Sequence, residues 1–335
     1  METYDTLLCI ILFIYDMRKN LVFLLLSSLL VLASCTKEKA AEIANTITSL
    51  KTEKCAEQKI ELDPQWGIES LAGVKDSDLI CKSTSEDHIF YVLSGDRYTL
   101  KKTFGVKGNA ANEWIAPHLL FAKQKGLCYV LDNGSRKIHT LKDYQMTSKA
   151  ESPIKGIANL PKLYGDFICY TDETPNKLIL RLNNFKTNEP IDSIAFEDNK
   201  KKGLAYLEGF VYDMDENVVV IAHCIQDRFE ICNLSSKQKL IPSVIVKGSG
   251  ETDENEYTYY SSAVVYQGKI YLLSQRHVSL SKMNGYSSVE VYDFKGKAIK
   301  NIALNFIASQ MVYNPLDSSM LLLSATDGSL VKAKL

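Results

Sequence analysis

The chain has 335 residues and carries 39 basic against 40 acidic residues, with no block of basic residues along it. A nucleic-acid-binding protein needs positive charge concentrated on one face, so we predict no nucleic-acid partner. The 18 tyrosines and 12 phenylalanines, set against only 8 prolines, favour strands and predict an all-β fold.

The first element along the chain is a predicted export signal. Residues 17–35 contain a basic start at Arg18 and Lys19, an apolar run, and then Leu-Ala-Ser before Cys35. This pattern resembles the signal peptide and lipobox of a bacterial lipoprotein, in which the cysteine thiol receives a diacylglycerol. A retained transmembrane helix is the weaker alternative, because the apolar run is shorter than the ~20 residues that a spanning helix needs.

Residues 1–16 precede this signal and add a second apolar run. We interpret Met17 as the true start and Met1 as an upstream start codon. If Met1 is the start instead, the two runs merge into one longer hydrophobic segment that charged residues interrupt.

The predicted organisation has three parts. Residues 1–34 are a signal peptide, residues 35–57 are a lipidated tether with some helix in residues 40–50, and residues 58–335 form the folded domain. About 300 residues are enough for one large β domain or for two ordinary ones.

A short apolar run recurs six times in the folded domain, at spacings of 48, 40, 51, 52 and 51 residues. A period near 40–50 residues is typical of propeller blades, so each run is predicted to be a blade's second strand. The runs are Leu79–Cys81, Leu127–Tyr129, Phe167–Cys169, Val218–Val220, Ile270–Leu272 and Leu321–Leu323.

Other strands surround each of these runs. Alternating third strands are predicted at 89–94, 137–142, 177–182, 228–234, 289–294 and 330–335. Outermost strands are predicted at 99–104, 145–150, 190–196, 239–246 and 298–304, and innermost strands at 70–74, 118–122, 156–160, 209–213, 262–266 and 309–313.

The sixth repeat ends without an outermost strand, whereas an unpaired strand-like piece stands at residues 59–63. An open ring would leave two long sheet edges, which proteins avoid. We therefore predict a single six-bladed β-propeller in which the N-terminal strand closes the last blade.

The joint between the first two repeats carries a recognisable pattern, Phe104-Gly105-x-x-Gly108 followed by Asn-Glu113-Trp114 and a proline. A partial copy, Gly248 followed by Asn-Glu256-Tyr257, stands before the fifth repeat. These joints resemble those of the TolB-like and NHL-like six-bladed propeller lipoproteins of Bacteroidota. The resemblance implies the fold and the envelope address, and it implies no catalytic residue. The glycines permit tight joints, and Glu113 and Trp114 are predicted to fill the gap between blades.

The six cysteines after Cys35 form no CxxC pair, so a zinc ribbon or a thioredoxin motif is disfavoured. Export would allow some of them to form disulfides, whose connectivity the sequence does not give. Cys81, Cys128 and Cys169 lie in apolar runs, which favours buried free thiols.

Metal and nucleophile motifs are weak throughout the chain. The run from Asp213 to Asn217 begins like a calcium loop, but Val218 and Cys224 stand where an EF-hand needs Gly and Glu, so we predict a turn. The acidic run at 251–256 is predicted to be a solvated loop. We therefore predict no resident cofactor, and calcium stays the open alternative.

One end of the predicted channel is the candidate binding site. Turns between second and third strands share that end with the blade joints, and the longest of them, residues 275–288, is expected to overhang the channel mouth. The alternative is that these polar residues are ordinary solvated turn residues. The ligand-binding candidates there are His88, Asp132, Arg136, Asp172, His223, Arg228, Arg276, His277 and Asp327.

The function predicted first is a membrane-anchored lipoprotein whose propeller binds or scaffolds an envelope protein, a peptide or a glycan. The alternative is a propeller enzyme, a metal-dependent lactonase or a lyase, acting at the channel mouth; a purely structural subunit of an envelope complex is a third hypothesis. We predict anchoring in the outer membrane through the lipid on Cys35. The sequence after Cys35 lacks a dense acidic stretch, which favours the periplasmic side over the cell surface.

Overall fold

The structure is a computed structural model of the chain. The predicted signal peptide and Cys35 lie outside the residues that it describes. Those residues are 42–45, 51–85, 87–110, 113–122, 125–152, 154, 156–174, 177–197, 209–215, 217–234, 239–248, 258–279, 282 and 284–335.

The described chain opens with three short strands and continues into six antiparallel sheets, which we call blades 1 to 6. The opening strands are β1 (Glu42–Asn45), β2 (Thr52–Lys54) and β3 (Glu57–Ile60), and a 3-10 turn at Pro64–Trp66 leads from them into the first blade.

The first three blades each run from an innermost to an outermost strand. Blade 1 has β4 (Ile68–Lys75), β5 (Asp78–Ser83), β6 (Phe90–Ser94) and β7 (Thr99–Phe104); a two-stranded joint of β8 (Val106–Lys107) and β9 (Glu113–Trp114) follows. Blade 2 has β10 (Pro117–Phe121), β11 (Leu127–Asp132), β12 (Lys137–Lys142) and β13 (Gln145–Glu151). Blade 3 has β14 (Asn159–Tyr164), β15 (Phe167–Thr174), β16 (Lys177–Asn184) and β17 (Pro190–Glu197).

The last three blades follow the same order. Blade 4 has β18 (Phe210–Met214), β19 (Val218–His223), β20 (Arg228–Asn233) and β21 (Pro242–Lys247). Blade 5 has β22 (Tyr260–Tyr266), β23 (Lys269–Ser279), β24 (Asn284–Asp293) and β25 (Ala298–Ala303). Blade 6 has β26 (Ala308–Asn314), β27 (Ser319–Ser324) and β28 (Leu330–Lys334).

The blades form a ring. The innermost strands of all six blades line one central cavity, and five of the six pairs that follow each other around the ring contact one another along the strands. In the sixth pair, Phe121 of β10 lies against Gly73 of β4. The protein is therefore a six-bladed β-propeller, which confirms the fold that the repeat period predicts.

Blade 6 is completed by the beginning of the chain. Strand β3 pairs antiparallel with β28, so that Ile60 lies opposite Leu330. Lys59 adds an ion pair to Asp327, with its Nζ atom 2.9 Å from the carboxylate. The predicted closing strand is confirmed, although it ends at Ile60 and does not continue to residue 63.

The chain upstream of β3 also lies on the ring. Strand β1 pairs parallel with β21 at the outer edge of blade 4, and β2 pairs parallel with β25 at the outer edge of blade 5. The helix expected within residues 40–50 is wrong where β1 stands. The outer edges of blades 4 and 5 offer unpaired backbone groups, and strand pairing satisfies these edges together with the segment, which a helix would not do. We call β1, β2 and β3 the N-terminal belt.

The second strand of each blade is the most deeply buried. Every residue of β19 and of β27 is buried, because a neighbouring blade covers each face of the sheet. Cys81, Cys128 and Cys169 are buried in the same layer, as their apolar runs predict.

Side chains of one blade form hydrogen bonds with the backbone of the innermost strand of the next blade. Gln310 of blade 6 accepts a hydrogen bond from the N–H of Leu71 in blade 1 through its Oε1 atom, at 2.8 Å. Asp213 of blade 4 accepts one from the N–H of Val265 in blade 5, also at 2.8 Å. These contacts satisfy backbone groups that an innermost strand would otherwise leave unpaired at its free edge.

Two details of the predicted strands need correction. The innermost strand of blade 3 is Asn159–Tyr164 and not 156–160, because the joint runs through Ala158 and the strand begins with a bulge in which Leu160 has φ +48°. The loop expected at residues 275–288 is largely an extended hairpin, in which His277 pairs with Tyr286.

Candidate functional site

The predicted mouth residues of blade 4 belong to a buried ionic cluster. The side chain of Glu230 is almost fully buried and contacts His223, whose Nε2 atom is 3.1 Å from Oε1, and the guanidinium of Arg228. Burial alone would raise the pKa of Glu230, but its hydrogen bond with His223 and the charge of Arg228 hold that pKa below its usual value.

Arg276 of blade 5 is held in a similar way. Its Nε atom donates to Glu290 at 2.9 Å, another guanidinium nitrogen donates to the hydroxyl of Tyr260 at 2.6 Å, and a third pairs with Asp227 of blade 4. The guanidinium also lies 5.3 Å from the ring centres of both Tyr259 and Tyr260. Arg276 therefore joins blades 4 and 5. Because all three of its guanidinium nitrogens have a partner, few of its N–H donors remain for a ligand.

Asp132 of blade 2 braces the joint that precedes its own blade. Its carboxylate accepts hydrogen bonds from the N–H groups of Ile115 and Ala116 and from the hydroxyl of Ser135. Burial opposes ionisation, but these hydrogen bonds lower the pKa of Asp132 below its usual value.

Two further predicted acids pair with nearby cations. Asp172 accepts a hydrogen bond from Nε of Arg181 at 2.8 Å, within blade 3. Asp327 pairs with Lys59 of the N-terminal belt, as described above. Both acids therefore have a structural partner.

The remaining mouth candidates lie on the surface or near it. Arg136 is exposed in a turn with φ +54°. His277 is exposed and stacks on Tyr286, with 4.8 Å between ring centres. His88 packs its ring edge against Tyr91 at 6.3 Å. None of the nine predicted mouth residues, all of which are described, lines the central cavity.

The first joint is packed with aromatic rings. Trp114 is buried, and its ring centre lies 6.1 Å from that of Phe90 and 6.3 Å from that of Phe104. Gly105 has φ +77°, and a Cβ atom there would overlap the Trp114 ring. At Gly108 a Cβ atom would overlap Glu113, whose carboxylate accepts the N–H of Ala110 at 2.9 Å.

The second joint is only partly described. Gly248 donates its N–H to the backbone oxygen of Asp227 at 2.8 Å, and a Cβ atom at Gly248 would overlap the Asp227 carboxylate. Glu256 and Tyr257 lie outside the described residues.

The sequence did not point to the central cavity as a site. Its volume is about 550 Å³, which is in the range of small-molecule sites. Among its polar side chains are His118, Lys162, Asp213, Ser262 and Gln310, and these come from the innermost strands of five blades. They stand about 50 residues apart along the chain, so only the ring brings them together.

The cavity contains two titratable groups in an unusual state. Burial raises the pKa of Asp213, and this rise is partly offset by Lys162, whose Nζ atom is 3.5 Å from the carboxylate. Burial and the charge of Lys82 lower the pKa of His118 to about 4. The expected turn at Asp213 is wrong for that residue, which belongs to β18; the turn begins at Asp215.

A second feature lies at the end of the ring that carries the blade joints, which we call the joint face. Ile115 and Ile157 stand in successive joints and are 44% and 62% exposed. Asn133 links these joints, because its N–H donates to the oxygen of Ala116 and its side chain donates to the oxygen of Ala158.

Leu160 continues this feature towards the channel. It is 41% exposed, follows two residues after Ala158 and lines the central cavity. We call Ile115, Ile157 and Leu160 the apolar patch.

Among the described residues no group of three or more His, Cys, Asp or Glu side chains is placed to hold a metal ion. Within the same residues, no helix has the length and hydropathy to cross a bilayer.

Comparison with known proteins gives the fold. No protein-family model and no curated protein matches the sequence. A candidate exported protein of Bacteroides fragilis superposes with a TM-score of 0.55 at 10% identity, covering 88% of this chain and 99% of that one. The WD40 repeats of RRP9 superpose with a TM-score of 0.51 at 9% identity, covering 85% of this chain and 100% of that one.

A third solved structure, BamB from Moraxella catarrhalis, gives a TM-score of 0.42 at 11% identity and covers 84% of this chain and 99% of that one. The first two similarities show that the chain has a propeller fold.

Proposed function

We propose that this protein is a lipid-anchored envelope propeller that works by binding a protein partner through its joint face. The observation that carries the proposal is the apolar patch. Single exposed apolar side chains are ordinary on protein surfaces, but three at the linked entries to two neighbouring blades are typical of an interaction site. Ile115 and Ile157 stand in joints that Asn133 fixes, so the patch is presented on a rigid frame.

Lipid anchoring is part of the same proposal. Support comes from the basic start, the short apolar run and the small residues that precede Cys35. The joint motif further supports kinship with the TolB-like and NHL-like lipoproteins of Bacteroidota. On this basis the protein is anchored in the outer membrane and faces the periplasm.

Anchoring is tested by replacing the lipidated cysteine. Cys35→Ala should move the protein from the membrane fraction to the soluble fraction, whereas Cys55→Ala should leave it in the membrane fraction. If the Cys35→Ala variant stays with the membrane, the anchor lies elsewhere in the chain.

Docking is tested by placing charge on the apolar patch. Ile157→Glu should abolish co-purification of a partner after mild detergent extraction from cells that express the protein natively. The matched control is Leu316→Glu, because Leu316 is 67% exposed and lies in the turn at the opposite end of the ring. Equal partner recovery with both variants would contradict docking on the joint face.

The enzyme hypothesis has less support. A metal-dependent lactonase needs several oxygen or nitrogen ligands that converge on one ion. Of the His, Cys, Asp and Glu side chains described, those that line the cavity are His118 and Asp213, and Asp213 is already paired with Lys162.

A further inference from the structure

The central cavity has one aromatic wall. Tyr266 of blade 5 and Tyr313 of blade 6 both line it, with 4.4 Å between ring centres and 32° between ring planes. Tyr271 packs against Tyr313 at 5.5 Å with 28° between ring planes, so Tyr313 is the middle ring of a stack of three and the wall is held in place. A tyrosine ring offers an apolar face together with a hydroxyl group, which suits a ligand that has both apolar and polar surface.

A hydrogen-bonding pair also lines the cavity. Lys162 of blade 3 and Asp213 of blade 4 lie 3.5 Å apart, and the second carboxylate oxygen of Asp213 is held by the N–H of Val265. The side chain of Lys162 is 45% exposed, so its ammonium group is accessible from the cavity. An ammonium beside a carboxylate presents a donor and an acceptor at the spacing that two neighbouring hydroxyl groups can use.

The charges that line the cavity are balanced. Lys162 is matched by Asp213, and Lys82 is matched by Glu69 at 3.0 Å. His118 is neutral at physiological pH, because burial holds its pKa at about 4. A phosphate or a carboxylate would meet no excess positive charge here, and a cation would meet no excess negative charge.

We infer that the central cavity binds a neutral saccharide of one or two rings, packed against Tyr266, the outer ring of that stack, and hydrogen-bonded by Lys162 and Asp213. A sugar ring combines an apolar C–H face with adjacent hydroxyl groups and carries no charge. The cavity volume of about 550 Å³ accommodates a ligand of that size. The inference deepens the proposal that the protein works by binding, but it does not depend on the apolar patch.

The test is calorimetric titration of the full chain in detergent with a panel of sugars. The neutral members are glucose, galactose, maltose, cellobiose, lactose and N,N′-diacetylchitobiose; the charged members are glucuronic acid and glucosamine. We expect saturable binding of at least one neutral sugar and weaker binding of both charged ones. Absence of binding by every neutral sugar at 10 mM, about the weakest affinity worth assigning to a site, would overturn the inference.

Variants then locate the binding. Lys162→Met should weaken it about tenfold, the effect of losing one charge-assisted hydrogen bond. The matched control is Lys186→Met, which breaks an exposed Lys–Asp pair outside the cavity and should leave affinity unchanged. Tyr313→Phe, which retains the ring, should retain most of the affinity.

Circular dichroism melting curves check that each variant is folded. Equal affinity in Lys162→Met and Lys186→Met would place the sugar elsewhere and overturn the assignment. Because neither variant touches Ile157 or Cys35, failure here leaves the proposed partner docking and anchoring intact.

Discussion

The joint between blades 1 and 2 and the junction between blades 4 and 5 occupy equivalent places in the ring, yet they are filled by different chemistry. At the first, Trp114 packs against Phe90 and Phe104 above Gly105. At the second, Arg276 reaches across to Asp227 beside Gly248. Both places need a glycine, because a large side chain or a carboxylate occupies the position of its Cβ atom.

The glycines of the two joints therefore set the space between the blades, but they do not determine which side chains fill it. Aromatic rings stabilise a joint through area and shape, with little dependence on pH or charge. A buried ion pair must instead recover the cost of desolvating its charges, so removal of one partner leaves the other buried and uncompensated. The two junctions should therefore respond differently to the same kind of perturbation.

The largest effect is expected at the aromatic joint. Trp114→Ala should lower the free energy of unfolding by about 4 kcal/mol, since it removes a fully buried ring and leaves a cavity. The measurement is chemical denaturation followed by circular dichroism. The control is Trp66→Ala, the only other tryptophan, which is half-buried and should cost about 1 kcal/mol. Equal losses would mean that Trp114 does not fill the joint.

At the ionic junction, Arg276→Met should lower the free energy of unfolding by about 3 kcal/mol, because Asp227 and Glu290 then stay buried without their cation. Adding Glu290→Gln to Arg276→Met should restore part of the loss, since the double variant buries one charge fewer. A double variant that is less stable than Arg276→Met would contradict this account. The same denaturation experiment measures both variants.

Acid should distinguish the aromatic joint from the buried ionic cluster of Glu230, His223 and Arg228 in blade 4. The folded pKa of Glu230 lies below its usual value of 4.5, so its contribution to stability is present above that value and is lost as the pH falls through the folded pKa. The difference in melting temperature between the wild type and Glu230→Gln should therefore shrink from pH 7 to pH 4. A difference that stays constant over this range would show that the Glu230 carboxylate is not stabilised by His223 and Arg228.

The smallest effect is expected at an exposed ion pair of the N-terminal belt. Glu53 lies 3.4 Å from Lys300, and both side chains are substantially exposed. Glu53→Gln should change the free energy of unfolding by less than about 0.5 kcal/mol, because solvent and salt screen such pairs. A loss as large as that of Arg276→Met would mean that burial is not what separates the two kinds of ion pair.

Much of the ring could be predicted from the sequence, because repetition and alternation are local signals. The strand at Lys137–Lys142 lies where alternation predicts it, and the strand at Thr99–Phe104 lies where the repeat predicts it. Two of the three belt strands were not predicted, because β1 and β2 pair with edges that the chain forms at least about 200 residues later. The closing strand β3 was predictable because the sixth repeat lacks an outermost strand, whereas blades 4 and 5 have their own.

The candidate site was harder to predict for a related reason. Glu230 and Glu290 occupy alternating positions that normally face solvent, but in a propeller the next blade covers that face, so both are buried. The two buried carboxylates bind His223, Arg228 and Arg276, which the sequence predicts as ligand-binding groups. The cavity was not predicted because its lining residues come from the innermost strands of six blades, which are far apart in the sequence.

We propose that the joint face of this propeller is its binding surface. The most direct measurement is photocrosslinking in cells that express the protein, with a photoreactive residue placed at Ile157 or, as control, at Leu316. We predict one discrete protein adduct from position 157 in the membrane fraction and none from position 316. The same adducts from both positions, or an adduct from position 316 alone, would contradict it.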